Sequence, residues 1–512
     1  MDTKTKNVGR WLGMILGLAI GAGAAGAQER PNFVVILCDD LGWGDIASNG
    51  HPHIRTPNLD RLAAEGMRFT SCYAAAQVCS PSRVGLLTGR NPNRAGVYEW
   101  IANAPEDWIA RERSRHLVHL RASEVTLPQR LQRAGYATAM AGKWHCNSRF
   151  NDAAQPQPDA AGFDHWFATQ NNAAPSHENP VNFVRNGEPV GRLEGFSAQI
   201  VAREAIGWLE RQRARNAAQP FFMYVAFHEP HEPVASPPEL VNRYRDVARN
   251  LDEAQYFANV ENMDRAVGEL LAALDRMRLT ENTLVFFTSD NGPEGLFRYP
   301  GTPRSYGSAG PLRGTKVWTT EGGARVPGIV RWPAQVKPGQ VSDEPVSALD
   351  LVPTFCALAK AGLPAGLTLD GADLLPALHG GKIARERPLF WVYFHATNDQ
   401  RVAMRDGEWK LLAKLNGGRL PMIDNVTEAT APQVREAQLT DFSLYRVSRD
   451  IAEATELSDE EPEKLRELTR KMESLYRELT TTMHVWPDEP YPEAEMKKVR
   501  ARNAQERARL GL

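Results

Sequence analysis

The stretch NFVVILCDD, residues 32–40, combines an apolar run with two adjacent aspartates. Its apolar residues do not alternate with polar ones, which is typical of a strand buried on both faces of a parallel sheet. Three later runs have the same character: TAMA at 138–141, PFFMYVAF at 220–227 and TLVFFT at 283–288. Because helical patterns separate these runs, we predict an α/β fold with a large, mostly parallel sheet between layers of helices.

Polar side chains follow each predicted strand directly. The first strand leads to Asp39 and Asp40, and the others lead to GKWH at 142–145, HEPH at 228–231 and SDNG at 289–292. In an open parallel sheet, ligands bind outside the carboxyl ends of the strands. Four strands that deliver carboxylates, an amide, a lysine and histidines to one edge therefore predict an active site there.

Composition and charge exclude some classes of function. The 512 residues carry a net charge of -2, which argues against a polyanion-binding surface spread over the molecule, and no basic aromatic module suggests nucleic-acid binding. The five cysteines are too few, and odd in number, for a disulfide framework, and their spacing does not match a zinc site.

The chain is predicted to be exported. Residues 1–27 have a basic start, a short apolar core and small residues before Gln28, as in a secretory signal peptide. An uncleaved anchor is the alternative. No later segment resembles a membrane span, so the mature protein is expected in a bacterial periplasm or outside the cell.

The sequence divides into a catalytic α/β domain at 28–384, a smaller α+β subdomain at 385–486 and a polar extension at 487–512. Alternating runs such as RPLFWVYF and RVAMRDGEWKLL predict antiparallel strands after residue 385, and a charged helical pattern follows them. The extension is expected to be solvated.

The segment CSPSRVGLLTGR, residues 79–90, places a cysteine at the start of a predicted helix. Ser80 can cap this helix and Pro81 suits its first position. Free backbone amides at the helix start, together with Arg83, favour a bound sulfate or phosphate. From these residues alone, Cys79 could be a nucleophile, a metal ligand, half of a disulfide or the precursor of a modified residue.

Four oxygen-bearing side chains form a candidate metal site: Asp39, Asp40, Asp290 and Asn291. Oxygen ligands without histidine or thiolate favour calcium or magnesium over zinc. Either pair taken alone could instead serve as turn residues.

The segment CSPSRVGLLTG resembles the signature of the sulfatase family, in which the cysteine is oxidised to formylglycine. Further segments resemble family blocks in the expected order, namely NFVVILCDDLGWGD, TPNLDRLAAEGMRF, AGKWH, FHEPHEP, FFTSDNG, LRGTKVWTTEGGARVP and MRDGEWKLL. The resemblance, to arylsulfatases and N-acetylgalactosamine-sulfatases in particular, covers most of the mature chain. It implies an alkaline-phosphatase-like fold and hydrolysis of sulfate monoesters through a formylglycine-sulfate intermediate.

The resemblance also implies roles for individual residues. One calcium ion would be bound by Asp39, Asp40, Asp290, Asn291 and the modified Cys79. Arg83 would support the modified residue, Lys143 would hold sulfate, and His145 would deprotonate the second hydroxyl of the hydrated aldehyde. His231 and Lys316 would protonate the leaving alcohol, and Asp290 would also accept the proton of the attacking hydroxyl. A formylglycine-generating or equivalent maturation enzyme is an implied partner.

The substrate is less defined by the sequence. Two segments, 97–108 and 171–180, are expected at the mouth of the site, and a sulfated carbohydrate is the expected substrate, with aryl sulfates as surrogates. The candidate sugar-binding residues are Tyr98, Trp100, Trp108, Asn171, Asn172, His177 and Glu178. Aromatic residues in such loops can equally pack on their own loop.

Two other functions compete with this interpretation. A phosphonate or phosphodiester hydrolase of the same superfamily is the first, although such relatives tend to carry histidine where this chain has Asn291. A non-catalytic carbohydrate-binding homologue with unconverted Cys79 is the second, and the intact catalytic positions argue against it.

Overall fold

The structure is a computed structural model that describes residues 30–103, 114–299 and 301–494, together with residues 1–2, 496–498, 501 and 504. The predicted signal peptide therefore lies outside the described residues except for its first two positions. Among the residues that the structure describes, every helix is too short or too polar to cross a bilayer.

A large mixed sheet of eleven strands forms the centre of the described chain. Its strands are β1 Asn32–Asp39, β2 Met67–Tyr73, β3 Ala137–Lys143, β4 His165–Thr169, β5 Val184–Arg185, β6 Glu188–Pro189, β7 Phe221–Pro230, β8 Thr283–Ser289, β9 Arg325–Arg331, β10 Gln340–Ser342 and β11 Val346–Ser347. The order is β10-β2-β9-β8-β1-β7-β3-β4-β5-β6, and β11 pairs with β2. The four predicted strands, β1, β3, β7 and β8, lie together in the middle and run parallel.

Twelve helices of the described chain cover this sheet and the smaller subdomain. They are α1 Pro57–Ala64, α2 Cys79–Thr88, α3 Pro92–Ala95, α4 Leu127–Arg133, α5 Ser197–Arg215, α6 Pro238–Tyr244, α7 Leu251–Arg276, α8 Glu321–Ala324, α9 Leu351–Ala359, α10 Leu375–Leu378, α11 Ala431–Glu436 and α12 Pro462–Thr482.

Alternate residues of β1 enter different cores, as the unbroken apolar run predicts. Phe33, Val35 and Leu37 join a core with α2, α4 and α9, whereas Val34 and Ile36 join a core with α1, α5, α6 and α7. Every residue of β1 is buried. The mixed, mostly parallel sheet with helices on both faces confirms the predicted fold class.

The predicted C-terminal subdomain is present as a four-stranded antiparallel sheet. Its strands, in spatial order, are β12 Leu389–Val392, β13 Gln400–Asp406, β14 Trp409–Leu415 and β15 Leu439–Tyr445. The apolar core on the α2 side of the large sheet continues into this subdomain. The boundaries at 384 and 486 stay predictions.

The polar extension predicted after residue 486 is exposed at Pro487, Glu489 and Pro490, but it is also attached to the catalytic domain. The Ser114 N–H donates to the carbonyl of Glu489 at 2.9 Å, and the Ser114 hydroxyl donates to the carbonyl of Pro487 at 2.6 Å. Tyr491 is buried against the ring of His116. Backbone hydrogen bonding thus holds this polar segment on the catalytic domain.

A fully buried ion cluster joins the subdomain to the catalytic domain. The Lys410 ammonium in β14 lies 2.9 Å from a Glu321 carboxylate oxygen and 3.0 Å from a Glu453 carboxylate oxygen, and all three side chains are 0% exposed. Glu321 begins α8, which follows the loop that carries Lys316. The subdomain therefore braces a loop of the predicted site.

We expect Lys410→Met to lower the free energy of unfolding by about 3–5 kcal/mol, because it leaves two carboxylates buried without their cation. Urea unfolding followed by tryptophan fluorescence measures this change. The matched control is Lys414→Met, since Lys414 pairs with the exposed Asp399 and such a pair contributes about 0–1 kcal/mol. Equal urea midpoints of unfolding for the two variants would contradict a bracing role for the buried cluster around Lys410.

Candidate active site

Helix α2 begins two residues earlier than predicted, at Cys79 and not at Pro81. Cys79 is its first residue and Val78 is the cap residue. The Ser80 hydroxyl instead accepts a hydrogen bond from the Ile101 N–H at 2.8 Å, so it holds the segment that follows Trp100. Cys79 consequently lies in the first turn of a helix, where the dipole and free amides favour a negative charge.

The predicted strand ends do meet around Cys79. Its Sγ atom lies 3.4 Å from Asp39 Oδ1 and 4.0 Å from Asp40 Oδ1. The Asp40 N–H donates to Asp290 Oδ1 at 3.2 Å, and the Asn291 amide donates to Asp40 Oδ1 at 2.7 Å. All five side chains are buried.

Arg83 lies one turn further along α2 and binds two of these strand ends. Its Nε and one terminal nitrogen donate to Asp290 Oδ2 at 3.0 and 2.7 Å, and its other terminal nitrogen donates to the Lys143 carbonyl at 2.9 Å. The guanidinium is 0% exposed. A planar fork with this geometry orients the carboxylate as well as neutralising it.

Two lysines flank the aspartates from opposite sides. Lys143 Nζ donates to Asp39 Oδ2 at 2.6 Å, and Lys316 Nζ donates to Asp40 Oδ2 at 2.8 Å. Their ammonium groups balance part of the negative charge that burial makes costly. An anionic group that enters between them would meet two positive charges beside Cys79.

The crowded charges displace several pKa values. Burial raises the pKa of Asp40 to about 6, with Lys316 opposing the rise and the charge of Asp39 adding to it. Burial and the Asp39 charge also raise the pKa of Asp290 to about 6, against the effect of Arg83. For Asp39, burial acts upward, but Lys143, His231 and Arg83 together hold the pKa well below its usual value. Displaced pKa values of neighbouring groups are typical of functional sites.

The two predicted catalytic histidines have different hydrogen-bond partners. His145 Nε2 lies 2.8 Å from the Ile101 carbonyl, which can only accept, so the neutral ring carries its proton there and leaves Nδ1 unpaired. Burial and then Lys143 hold the pKa of His145 well below its usual value. His231 Nδ1 similarly lies 2.6 Å from the Glu232 carbonyl, and its Nε2 is 3.5 Å from Asp40 Oδ2. Burial lowers the pKa of His231 to about 3.

Backbone strain is concentrated at the same place. Asp40, His145 and Val317 have φ values of 63°, 52° and 63°, in the left-handed region that residues other than glycine seldom occupy. Gly142 has φ of 109°, and a Cβ atom there would lie 1.8 Å from the Ala226 carbonyl oxygen. Such strain is characteristic of residues held in place for function.

The residues present fit a bound divalent cation. Oxygen atoms of Asp39 and Asp40 lie within 4.8 Å of each other and of ligand atoms of Cys79 and His231. Asn291 Oδ1 is buried without a hydrogen-bond partner. An unpaired amide oxygen beside clustered carboxylates is the donor set that hard cations prefer.

The candidate sugar-binding residues divide into two groups. Asn172 lies at the site, where its Oδ1 is 3.5 Å from Lys143 Nζ, and the partly exposed Trp100 has its ring centre 6.5 Å from that of His145. The expectation is wrong for Tyr98 and His177, which are 2% and 0% exposed. The Tyr98 hydroxyl donates to the His484 carbonyl, and His177 Nδ1 lies 3.1 Å from the Asn259 amide, so both side chains have structural contacts.

Two of the three remaining candidates, Asn171 and Glu178, lie in the described part of the chain. Glu178 is exposed, and the Asn171 carbonyl accepts from Thr169 Oγ1 at 2.6 Å. Trp108 lies outside the described residues.

Sequence reasoning missed two contributors to the site. Glu294 lies 3.5 Å from Lys316 Nζ and also binds Arg298, so it holds the lysine on the side away from Asp40. The position of Glu294, two residues after the SDNG segment, could have indicated that it lies near the site. The backbone carbonyl of Ile101 orients His145, and no side-chain pattern could have indicated this.

Comparisons with known proteins agree with this geometry. The sulfatase family model matches residues 31–361. The chain belongs to the sulfatase family. Its enzyme class is therefore that of the sulfuric ester hydrolases, as the resemblance implied.

Individual sulfatases are similar over most of the chain. The N-acetylgalactosamine-6-sulfatase of Canis lupus familiaris is 38% identical over 416 residues, which cover 78% of this chain and 75% of that protein. The arylsulfatase A of Homo sapiens is 36% identical over 418 residues, or 77% of this chain and 76% of that protein. A second family model, the C-terminal part of N-sulphoglucosamine sulphohydrolase, matches residues 315–418.

Solved structures are similar as well. Ps i-CgsB in complex with k-i-k-neocarrahexaose gives a TM-score of 0.73 at 27% identity, covering 92% of this chain and 98% of that chain. Because the match covers 92% of this chain and 98% of the other, it includes the small C-terminal sheet.

We expect Arg83→Lys to lower kcat/KM for 4-nitrophenyl sulfate by about a hundredfold or more, because lysine cannot make both bonds to Asp290. Steady-state kinetics measures this loss of kcat/KM, provided that the variant and the wild type have equal thermal stability. Arg331→Lys is the matched control, since Arg331 is equally buried but pairs with Glu65 at the other edge of the sheet. Similar kinetics for the Arg83 variant and the wild type would contradict the assigned role.

Proposed function

We propose that this chain is an exported, calcium-dependent sulfatase that releases sulfate from a sulfated carbohydrate and also accepts aryl sulfates. The observation that carries the proposal is the position of Cys79, in the first turn of α2 and beside two aspartates that Lys143 and Lys316 flank. These groups form a small, buried, charge-balanced recess that suits a sulfate group. A periplasmic or extracellular location follows from the predicted signal peptide.

The unmodified thiol of Cys79 is poorly suited to catalysis. Burial raises its pKa well above the usual value, although Lys143 and Lys316 oppose the rise. A protonated thiol is a weak nucleophile. We therefore propose conversion of Cys79 to formylglycine, whose hydrated aldehyde supplies one hydroxyl to attack sulfur and a second whose deprotonation expels the sulfate.

The maturation enzyme must act before the chain folds. Cys79 is 2% exposed, and Pro81 and Arg83, which the family's modifying enzyme reads, are buried. A folded substrate would hide all three positions. Protein from a host without such an enzyme is therefore expected to fold and remain inactive.

The surrounding residues would bind the sulfate and move protons. Lys143 and Lys316 would bind the sulfate oxygens, and Asp290 would take the proton of the attacking hydroxyl. His145, neutral and with Nδ1 unpaired, suits a base that accepts the proton of the second hydroxyl. His231 and Lys316 lie together at Asp40. The Lys316 ammonium would supply the proton and the positive charge that the leaving alcohol requires, and the neutral His231, whose proton is on Nδ1, would face the ester oxygen with Nε2.

The bound metal would be held by Asp39, Asp40, Asp290, Asn291 and the modified Cys79. When bound, calcium would neutralise the sulfate and stabilise a deprotonated hydroxyl. The unpaired Asn291 Oδ1 and the raised pKa values of Asp40 and Asp290 support this assignment.

The carbohydrate substrate class has support from the relatives. Two similar proteins are named for a sugar or were solved with one: an N-acetylgalactosamine-6-sulfatase, and Ps i-CgsB in complex with k-i-k-neocarrahexaose. Asn291, at a position where phosphonate and phosphodiester hydrolases of the superfamily tend to carry histidine, favours sulfate over a phosphonate substrate. Trp100 and Asn172 lie where a sugar ring could extend from the sulfate.

We expect the peptide that contains Cys79, from protein made with a formylglycine-generating enzyme, to have the mass of an aldehyde in place of the thiol. Mass spectrometry measures the extent of conversion, and activity on 4-nitrophenyl sulfate should rise in proportion to it. Cys79→Ala should be inactive because it offers no hydroxyl. Cys72→Ala is the control, since Cys72 is equally buried but lies against Thr288. Full activity with unmodified Cys79 would overturn the proposal.

We expect chelation of calcium to abolish activity and to lower Tm, because an ion that binds only the folded chain stabilises it and this stabilisation is lost with the ion. Calcium at a hundredfold excess over its Kd should stabilise the fold by about 2.7 kcal/mol. Differential scanning calorimetry with calcium or magnesium identifies the preferred ion. In Asp39→Asn the calcium-dependent rise in Tm should shrink, and an undiminished rise would place the ion elsewhere.

A further inference from the structure

Four charged side chains from separate segments meet beside Trp100, outside the catalytic set. Glu99, Arg115, His395 and Asp424 form this group, which we name the mouth cluster. His395 Nδ1 binds an Asp424 carboxylate oxygen and lies 3.7 Å from Glu99 Oε2, and the Arg115 guanidinium lies 3.5 Å from Asp424 Oδ2. The catalytic domain contributes Glu99 and Arg115, and the C-terminal subdomain contributes His395 and Asp424.

Trp100 connects the mouth cluster to the catalytic residues. Its backbone N–H donates to Glu99 Oε1 at 2.9 Å, and its carbonyl accepts from Arg115 at 3.0 Å. The Arg115 guanidinium carbon lies 5.4 Å from the centre of the Trp100 ring, and the centre of the His145 ring lies 6.5 Å from the same point. The Trp100 side chain therefore lies between the mouth cluster and His145, the proposed catalytic base.

A second contact ties the cluster to the loop that carries Lys316. The Thr397 N–H donates to the Val317 carbonyl at 3.0 Å, and the Val317 N–H donates to the Gln77 carbonyl at 2.9 Å. The segment that bears His395 thus lies against the two segments that bear Lys316 and Cys79. His395 and Asp424 remain open to solvent there, with 38% and 30% of their side chains exposed.

Stability alone is a weak reason for such a cluster. Partly exposed ion pairs contribute about 0–1 kcal/mol, and the cluster sits beside a recess lined by catalytic groups. Glu99 is held by the Tyr393 hydroxyl, so one carboxylate is fixed in position while His395 and Asp424 face solvent. A cation is a poor occupant, because the Arg115 guanidinium already lies 3.5 Å from Asp424 and His395 Nδ1 already binds the same carboxylate.

We propose that the mouth cluster and Trp100 form a subsite for the hydroxyl groups of the neutral hexose ring that carries the sulfate ester. Sugar hydroxyls both donate and accept hydrogen bonds, and the cluster offers carboxylate acceptors and cationic donors within a few ångströms. The indole supplies apolar surface for the ring carbons. This inference rests on the proposed sulfatase function.

The test compares sugar and aryl substrates in the same preparations of formylglycine-containing enzyme. The substrates are galactose 6-sulfate, N-acetylgalactosamine 6-sulfate and 4-nitrophenyl sulfate, which lacks sugar hydroxyls. We expect Asp424→Asn and His395→Gln each to lower the ratio of sugar to aryl kcat/KM at least tenfold.

The matched control is His165→Gln. His165 also pairs with a carboxylate, Glu204 at 2.9 Å, but it begins β4 at the edge of the sheet away from the site. The control should keep the wild-type ratio, and calorimetry should show that all variants fold.

The results that would contradict the subsite differ from the result that would contradict the proposed function. An unchanged ratio in both variants overturns the subsite, and so does a wild-type enzyme that hydrolyses 4-nitrophenyl sulfate but neither hexose sulfate. If converted wild-type enzyme hydrolyses no sulfate ester at all, the proposed function fails and the subsite fails with it.

Discussion

Three carboxylates, Asp39, Asp40 and Asp290, lie buried side by side, and the rest of the structure depends on how their charge is balanced. Burial of unpaired charges would cost many kilocalories per mole, so each carboxylate has a cationic partner. Arg83 binds Asp290, Lys143 binds Asp39 and Lys316 binds Asp40. The partners come from three different segments, so the charge balance draws these segments to one point at the sheet edge.

That balance also prepares the site for its chemistry. The cations that stabilise the aspartates are the ones that a sulfate group would meet on entry, and the oxygen atoms that they bind are the ones that a metal would use. The left-handed backbone at Asp40 and His145 shows that local conformational preference is overridden there. Packing of β1, β3, β7 and β8 into two cores provides the stability that such strain requires.

The C-terminal subdomain takes part in the site through two sets of contacts. Buried Lys410 holds Glu321, just after the loop of Lys316, and Tyr393 with His395 contacts Glu99 in the catalytic domain. The subdomain therefore positions catalytic groups on one side and supplies charged residues to the mouth on the other. Through these two sets of contacts, the small C-terminal sheet, which is distant in sequence from the catalytic residues, could influence which sulfate ester is accepted.

The sequence by itself determined the fold class, because apolar runs that do not alternate indicate strands buried on both faces and the polar residues after them must share an edge. It also predicted which polar residues meet at that edge, and the segment around Cys79 with the residues after each strand sufficed to recognise the family. Tertiary structure alone decided which loop residues face the substrate. Tyr98 and His177 are as polar and aromatic as Trp100 and Asn172, yet the first two are buried by segments near residues 484 and 259. The mouth cluster likewise joins residues about 300 positions apart, and only the packing of the two domains brings their charges together.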